Sequence, residues 1–163
     1  MPKKLKRKCG LVNIMIDYNG STASISRSIT ITLGNIDLSF FPEGGDPICG
    51  LQDNIAFRAL NEFNKPADIE GIVKDSKGKE VAKFSSFHMG MGSFSFRPEV
   101  GEKYTASITK PEGIKKEYTL PEALAKGFVL NTDNSVKGEV ALNIGSTESE
   151  ELSIVGQVRG KIY

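Results

Sequence analysis

Apolar residues recur at every second position through most of this chain, and that period constrains the fold more than any other feature. Val12, Ile14, Ile16 and Tyr18 alternate with other positions, Asn19-Gly20 follows, and Ala23, Ile25, Ile29, Ile31 and Leu33 alternate again. A period of two places such residues on one face of a strand. Asn-Gly between two such runs is a strong hairpin signal, because both residues tolerate positive φ. A β-hairpin is therefore expected over 11–18 and 22–33.

The pattern continues. Ile36, Leu38 and Phe40 lead into Phe41-Pro42-Glu43-Gly44-Gly45-Asp46, and Pro42, lacking an N–H, should end that strand. Ile55, Phe57 and Ala59 form the next run, and Asn64-Lys65-Pro66 turns the chain. Ile69, Gly71 and Val73 precede the tight turn Asp75-Ser76-Lys77-Gly78, and 81–87 returns. Met91, Phe94 and Phe96 stop at Pro98, and Tyr104, Ala106 and Ile108 complete the set. Short strands with turn signals every 8–12 residues are the mark of a sandwich. Phe40, Phe57, Phe94 and Phe96 fit its inner face, whereas Phe41, Phe63 and Phe87 face outward. The segment 120–127, Leu-Pro-Glu-Ala-Leu-Ala-Lys-Gly, alone has helix-like composition, and it reads as a linker or a single helical turn. Strands are expected again at 128–131, 140–144 and 152–158. With no ordinary helix to serve as a crossover, a parallel sheet is excluded.

Charge narrows the function classes. The net charge is +1 over 163 residues, so no global field favours nucleic acid or a membrane surface. Lys3, Lys4, Lys6, Arg7 and Lys8 nevertheless crowd the first eight residues, and 1–10 reads as a disordered basic tail. It does not open a signal peptide, because Asn13 and Asp17 break the apolar run that follows. No run approaches a membrane span. Two cysteines, Cys9 and Cys49, make no disulfide framework and no Cys-x-x-Cys pair.

Catalytic chemistry has little to stand on. His88 is the only histidine, so any triad would depend on it, with Ser85, Ser86 or Cys49 as nucleophile. No Gly-x-Ser-x-Gly elbow is present. Gly44-Gly45 and Gly90-x-Gly92 precede no helix and so make no phosphate loop. Asp46 and Asp53 are the carboxylates best placed for a cation, but the dense oxygen spacing of a calcium loop is missing. Asp68 and Glu70 share a face opposite Ile69 and are expected to meet water. The residues give no catalytic, cofactor or metal site. They leave Phe41, Phe63, Phe87 and His88 as the expected interaction surface, for protein or glycan.

Three stretches carry a resemblance: 36–57, Gly71–Asp75, and Phe87-His88-x-Gly90-Met91-Gly92-Ser93-Phe94-Ser95-Phe96. They resemble macroglobulin domains, especially the MG2-type modules of the alpha-2-macroglobulin family. The likeness extends to large surface or periplasmic Bacteroidetes proteins linked to TonB-dependent receptor plug domains. The resemblance implies an all-β, antiparallel immunoglobulin-like sandwich within a modular array. It also implies an extracytoplasmic place, at the periplasm or outer-membrane surface, and neighbouring domains of the same polypeptide as partners. Binding or protease entrapment is implied rather than catalysis. Protease-trapping members carry an internal thioester in Gly-Cys-Gly-Glu-Gln. Cys49-Gly50-Leu51-Gln52 keeps the Cys–Gln spacing, but Leu51 replaces Glu and Pro47-Ile48 precedes it, so the match reads as chance.

The expected organisation is a basic tail at 1–10 and a hairpin at 11–34 ending a preceding module. A macroglobulin-like sandwich follows at 35–110, then a linker at 111–127 and a partial second β-module at 128–163. The expected function is a non-enzymatic structural or interaction module without cofactor, nucleic acid or membrane contact. A glycan- or peptide-binding sandwich is the alternative, followed by a part of a protease inhibitor and then by a hydrolase built on His88.

Overall fold

Strand pairing follows the alternation closely. The computed structural model describes residues 9–30 and 34–162, so residues 1–8 of the expected tail, and Ile31 and Leu33 of the expected hairpin, lie outside the described residues. Strands β1 (Cys9–Tyr18) and β2 (Ser21–Thr30) form an antiparallel ribbon around Asn19 and Gly20, both at positive φ. Seven strands follow: β3 (Ile36–Pro42), β4 (Asp53–Asn61), β5 (Glu70–Lys74), β6 (Glu80–Ser85), β7 (Met91–Phe96), β8 (Thr105–Lys110) and β9 (Glu117–Thr119). They make two sheets, β3-β4-β7 and β6-β5-β8-β9, with every pair antiparallel.

This is an all-β, immunoglobulin-like sandwich. The constant-type immunoglobulin arrangement places the fourth strand beside the fifth. Here the fourth strand of the sandwich, β6, pairs with β5 instead, giving three strands facing four.

The inner faces carry the core. Ile36, Leu38, Ile55, Phe57, Ala59, Phe94 and Phe96 from one sheet meet Val73, Phe84, Ala106, Ile108 and Tyr118 from the other. Aromatic rings stitch the sheets together. Phe57 meets Phe84 at 5.1 Å between centroids, Phe84 meets Phe94 at 5.6 Å, and Phe96 meets Tyr104 edge-on at 4.6 Å. Such pairs add to the area they bury. Gly71 makes room for this stack, because a Cβ there would lie 2.2 Å from the Phe84 ring. Phe40 is only half-buried and packs against the cluster edge.

Two hydrogen bonds fix the corners. Glu99 N–H donates to the Tyr104 hydroxyl at 2.9 Å, which turns the chain from β7 into β8. A tyrosine at the start of this strand, bonded back to the backbone a few residues upstream, is the immunoglobulin-type tyrosine corner. Across the sandwich, the buried Tyr118 hydroxyl donates to Ile36 O at 2.8 Å and ties β9 to β3.

The segment expected to be a linker, 111–127, therefore contributes to the sandwich. It supplies β9 and the buried residues Ile114, Tyr118 and Leu120. Three residues of strand are too few for periodicity to register. Nor is there a helical turn at 120–127. Leu124 pairs with Ile48 in a parallel bridge, its N–H donating to Pro47 O and its carbonyl accepting from Cys49 N–H. Those backbone groups are thus taken by a neighbouring loop.

Beyond lie β10 (Phe128–Asp133), β11 (Ala141–Ser146), β12 (Gln157–Val158) and β13 (Lys161–Ile162). The first two pair as a hairpin, and the last two pair around Arg159 and Gly160, both at positive φ. A full strand over 152–158 does not form; only its last two residues pair. Alternation there marks side-chain faces, but a strand also needs a neighbouring backbone to accept its hydrogen bonds.

Candidate interaction surface

Two loops at one end of the sandwich display the exposed aromatic residues. The first follows β4. Asn61, fully buried, accepts from Phe63 N–H at 2.9 Å and Lys65 N–H at 3.1 Å through its side-chain oxygen. Its backbone N–H donates to Lys65 O, and its carbonyl accepts from Asn64 N–H. A side-chain amide that mimics backbone in this way closes a tight loop. Phe63 sits on its outer side.

The second loop joins β6 to β7. Met91 N–H donates to His88 O across Met89 and Gly90, both at positive φ, as in a type I′ turn. Phe87 N–H donates to Met91 O, and Gly90 N–H donates to the Asp68 carboxylate at 2.9 Å. Gly90 cannot carry a side chain, since a Cβ would lie 2.4 Å from Ala59 O. The tip is held at its base from several sides while Phe87 is 78% and Met89 56% exposed. His88 is also exposed.

Of the four expected surface residues, Phe63, Phe87 and His88 thus share one end. Phe41 does not join them. It stands on the outer face of β3, opposite Ala56, near the other end of that strand. The alternation told that these side chains point outward, but not which loops come together.

The groups weighed for catalysis are separated or occupied. The Ser86 hydroxyl accepts from Ile69 N–H at 3.1 Å and serves the β5–β6 pairing. Cys49 is a buried free thiol, with its sulfur 3.7 Å from Glu99 O and 3.9 Å from Ala123 O. Gln52 is exposed whereas Cys49 is buried. Among the described residues, no three His, Cys, Asp or Glu side chains form a cluster that could hold a metal. Asp46 is exposed and Asp53 fully buried, so these two do not converge on one cation. No helix among the described residues is long and apolar enough to cross a membrane.

A polar junction escaped sequence reasoning. Glu43 reaches from the Pro-Glu-Gly-Gly loop to Thr132 of β10, accepting from its N–H at 2.9 Å and from its hydroxyl. Asn54 Nδ2 donates to the same carboxylate at 3.1 Å, and Asn131 Nδ2 donates to Gln52 O. The Thr132 hydroxyl above all holds Glu43 below the usual carboxylate range. Asp53, next to it in the fold, is pushed up to about 6, chiefly by burial. The Asn54 N–H opposes that rise, and the Glu43 charge adds to it. Asp53, the first residue of β4, was weighed in the sequence only as a loop carboxylate, and nothing there pointed to its burial.

No family model matches the chain, and no curated protein matches it. Neither comparison supports the macroglobulin likeness. Among solved structures, the chain is similar to the Escherichia coli adhesin FdeC, at 13% identity and a TM-score of 0.44, over 85% of this chain and 51% of that one. It is also similar to domains 4–9 of the surface layer protein SbsC, at 13% identity and a TM-score of 0.37, over 94% of this chain and 30% of that one. The chain spans about half the length of the first and under a third of the second.

Proposed function

We propose that this immunoglobulin-like module is a non-catalytic structural and interaction unit, and that it makes contact through the loop end bearing Phe63, Phe87, His88 and Met89. The observation that carries this is the β6–β7 turn. Its backbone is fixed by hydrogen bonds, yet it presents Phe87 and Met89 to solvent. An apolar tip on a pre-organised turn loses little entropy when it is buried by a partner. The partner is a neighbouring domain of the same polypeptide, in an extracytoplasmic modular protein. The narrower reading, an MG2-type module of a TonB-receptor-associated protein, rests on the sequence phrases at 36–57 and 87–96.

A glycan- or peptide-binding role is the second reading, favoured by the same exposed aromatic ring. The two are separated by screening the protein on glycan and peptide arrays beside its Phe87→Ala variant. Array binding that the variant loses establishes the second reading in place of the first. The non-catalytic assignment fails if the protein hydrolyses ester or peptide substrates and His88→Ala abolishes that turnover.

A further inference from the structure

β3 is the outer strand of its sheet, and among the described residues no strand but β4 pairs with it. The direction of its backbone groups follows from the register. Glu43 N–H donates to Asn54 O at 2.8 Å, so the odd-numbered residues of β3 turn their N–H and C=O towards β4. Ile36, Leu38, Phe40 and Pro42 therefore turn theirs to the open side. The Ile36 carbonyl is already taken there by the Tyr118 hydroxyl. The N–H and C=O of Leu38 and Phe40 have no partner among the described residues. Exposed edges are ordinarily guarded by charge, bulges or shortness. β6 carries Glu80, Lys83 and an irregular register against β5, and β9 has only three residues. The Met91 N–H and C=O of β7 are taken by the turn before it. β3 instead runs seven residues in unbroken register, with Asp37 as its one charge and Pro42 at its end.

We infer that β3 is a pairing edge for β3 of a second copy, antiparallel and centred on Ser39, so that the two three-stranded sheets run on as one. The edge is complementary to itself in that register. Leu38 of each copy faces Phe40 of the other, and each such pair exchanges both backbone hydrogen bonds. Ile36 N–H reaches Pro42 O of the second copy. Pro42 has no N–H to return, and the Ile36 carbonyl that would need it is the one Tyr118 holds. Neighbouring registers lack this fit. Moved two residues one way, Pro42 faces Leu38, and the Leu38 carbonyl is left without a donor. Moved two residues the other way, Phe40 N–H meets the carbonyl that Tyr118 already occupies, and Pro42 falls outside the ladder. The side chains agree with a centre on Ser39. Leu38 and Phe40, on the core side, meet across the join as an apolar pair. On the outer face, Asp37 stands opposite the half-exposed Phe41 and Ser39 stands opposite itself, so no acid meets an acid. The contact is isologous, and it closes at two copies.

Ser39 faces Ser39 of the second copy across the two-fold axis, and this makes the register testable. Ser39→Lys and Ser39→Asp each set like charges opposite one another, and together they set opposite charges. Sedimentation of the unaltered chain should show mass rising with concentration from one chain to two and no further. At a concentration where it is mostly paired, each variant alone should be mostly single. An equimolar mixture of the two should recover the two-chain species, and added salt should weaken that recovery. A protein single at every concentration overturns the proposal, as does association beyond two chains, a variant that pairs alone as well as the unaltered chain, or a mixture that stays single. Thermal unfolding confirms that the sandwich stays folded in both variants. Should either fail to fold, oxidative cross-linking replaces them. Directly opposed residues that share no hydrogen bond in such a ladder lie about 4.5 Å apart at Cα, within disulfide reach. Ser39→Cys should therefore link two chains, and Phe41→Cys, which faces Asp37, should link no more than the unaltered protein does. Equal linking at both positions, or none at Ser39→Cys, overturns the proposal.

Discussion

Asp53 is the residue that most clearly stands against the fold around it. It begins β4 with its side chain on the inner face, where one oxygen accepts from Asn54 N–H and the other has no partner among the described residues. Burial lifts its pKa to about 6, against about 4 in the unfolded chain. The folded state therefore binds the proton more tightly, and stability falls as pH rises from about 4 to 6. Asp53→Asn keeps an acceptor for Asn54 N–H and removes the buried charge. Chemical denaturation at pH 7 should show it more stable by about 1–2 kcal/mol, with the difference largely gone at pH 4. Gly71 works in the opposite sense, since its missing side chain is what seats the Phe84 ring. Gly71→Ala should cost about 2–3 kcal/mol by forcing that stack apart, read as a lower denaturation midpoint. The alternation named the inward positions, yet neither the partnerless oxygen nor the ring over Gly71 was legible. Both depend on residues distant in sequence.

At the scale of elements, the sequence was most legible where a strand is long and its turn is chemically marked. Asn19-Gly20, Asp75–Gly78 and Pro42 each mark a boundary through backbone conformation or a missing N–H, and strands begin or end beside them. The loop tip was partly legible. Phe87 and His88 were read as outward, but Met89 was missed because a methionine at positive φ has no strong sequence signature. The short strand β9, the last of the sandwich, was missed altogether. Its place is secured less by pairing than by Tyr118, whose hydroxyl reaches Ile36 O. Tyr118→Phe leaves a buried carbonyl without that donor and should cost about 1–2 kcal/mol. Amide exchange should rise first along β9 and the Ile36 end of β3. The tyrosine corner predicts a similar loss for Tyr104→Phe, about 1 kcal/mol, located at the turn from β7 to β8. Its signal, a tyrosine five residues after the Glu99 that it bonds, was present in the sequence but unread.

Across the whole molecule, the sandwich and the β10–β11 ribbon are joined by few side chains, and their responses to acid differ. Glu43 accepts from Thr132 and Asn54 while charged, and these bonds hold its pKa down. A depressed folded pKa means that this stabilisation is present above the unfolded value, near 4.3, and is lost as pH falls through the folded one. Asp53 changes over a higher and separate window, between about 6 and 4, and with the opposite sign. Lowering the pH from 7 to 5 should therefore strengthen the sandwich while leaving the Glu43 tie charged. Further acidification should release the tie. Hydrogen exchange followed by mass spectrometry reads both effects in one sample. Protection of β4 should rise between pH 7 and 5 after correction for intrinsic rates, and protection of β10 should drop only below about pH 4. Glu43→Gln weakens the bonds to Thr132 without waiting for a proton. It should lower β10 protection several-fold already at pH 7, and it should remove part of the upward push on Asp53. If β10 protection in that variant matches the unaltered protein at every pH, the ribbon is held by the burial of Val129 and the backbone approach at Gly44 rather than by the Glu43 carboxylate.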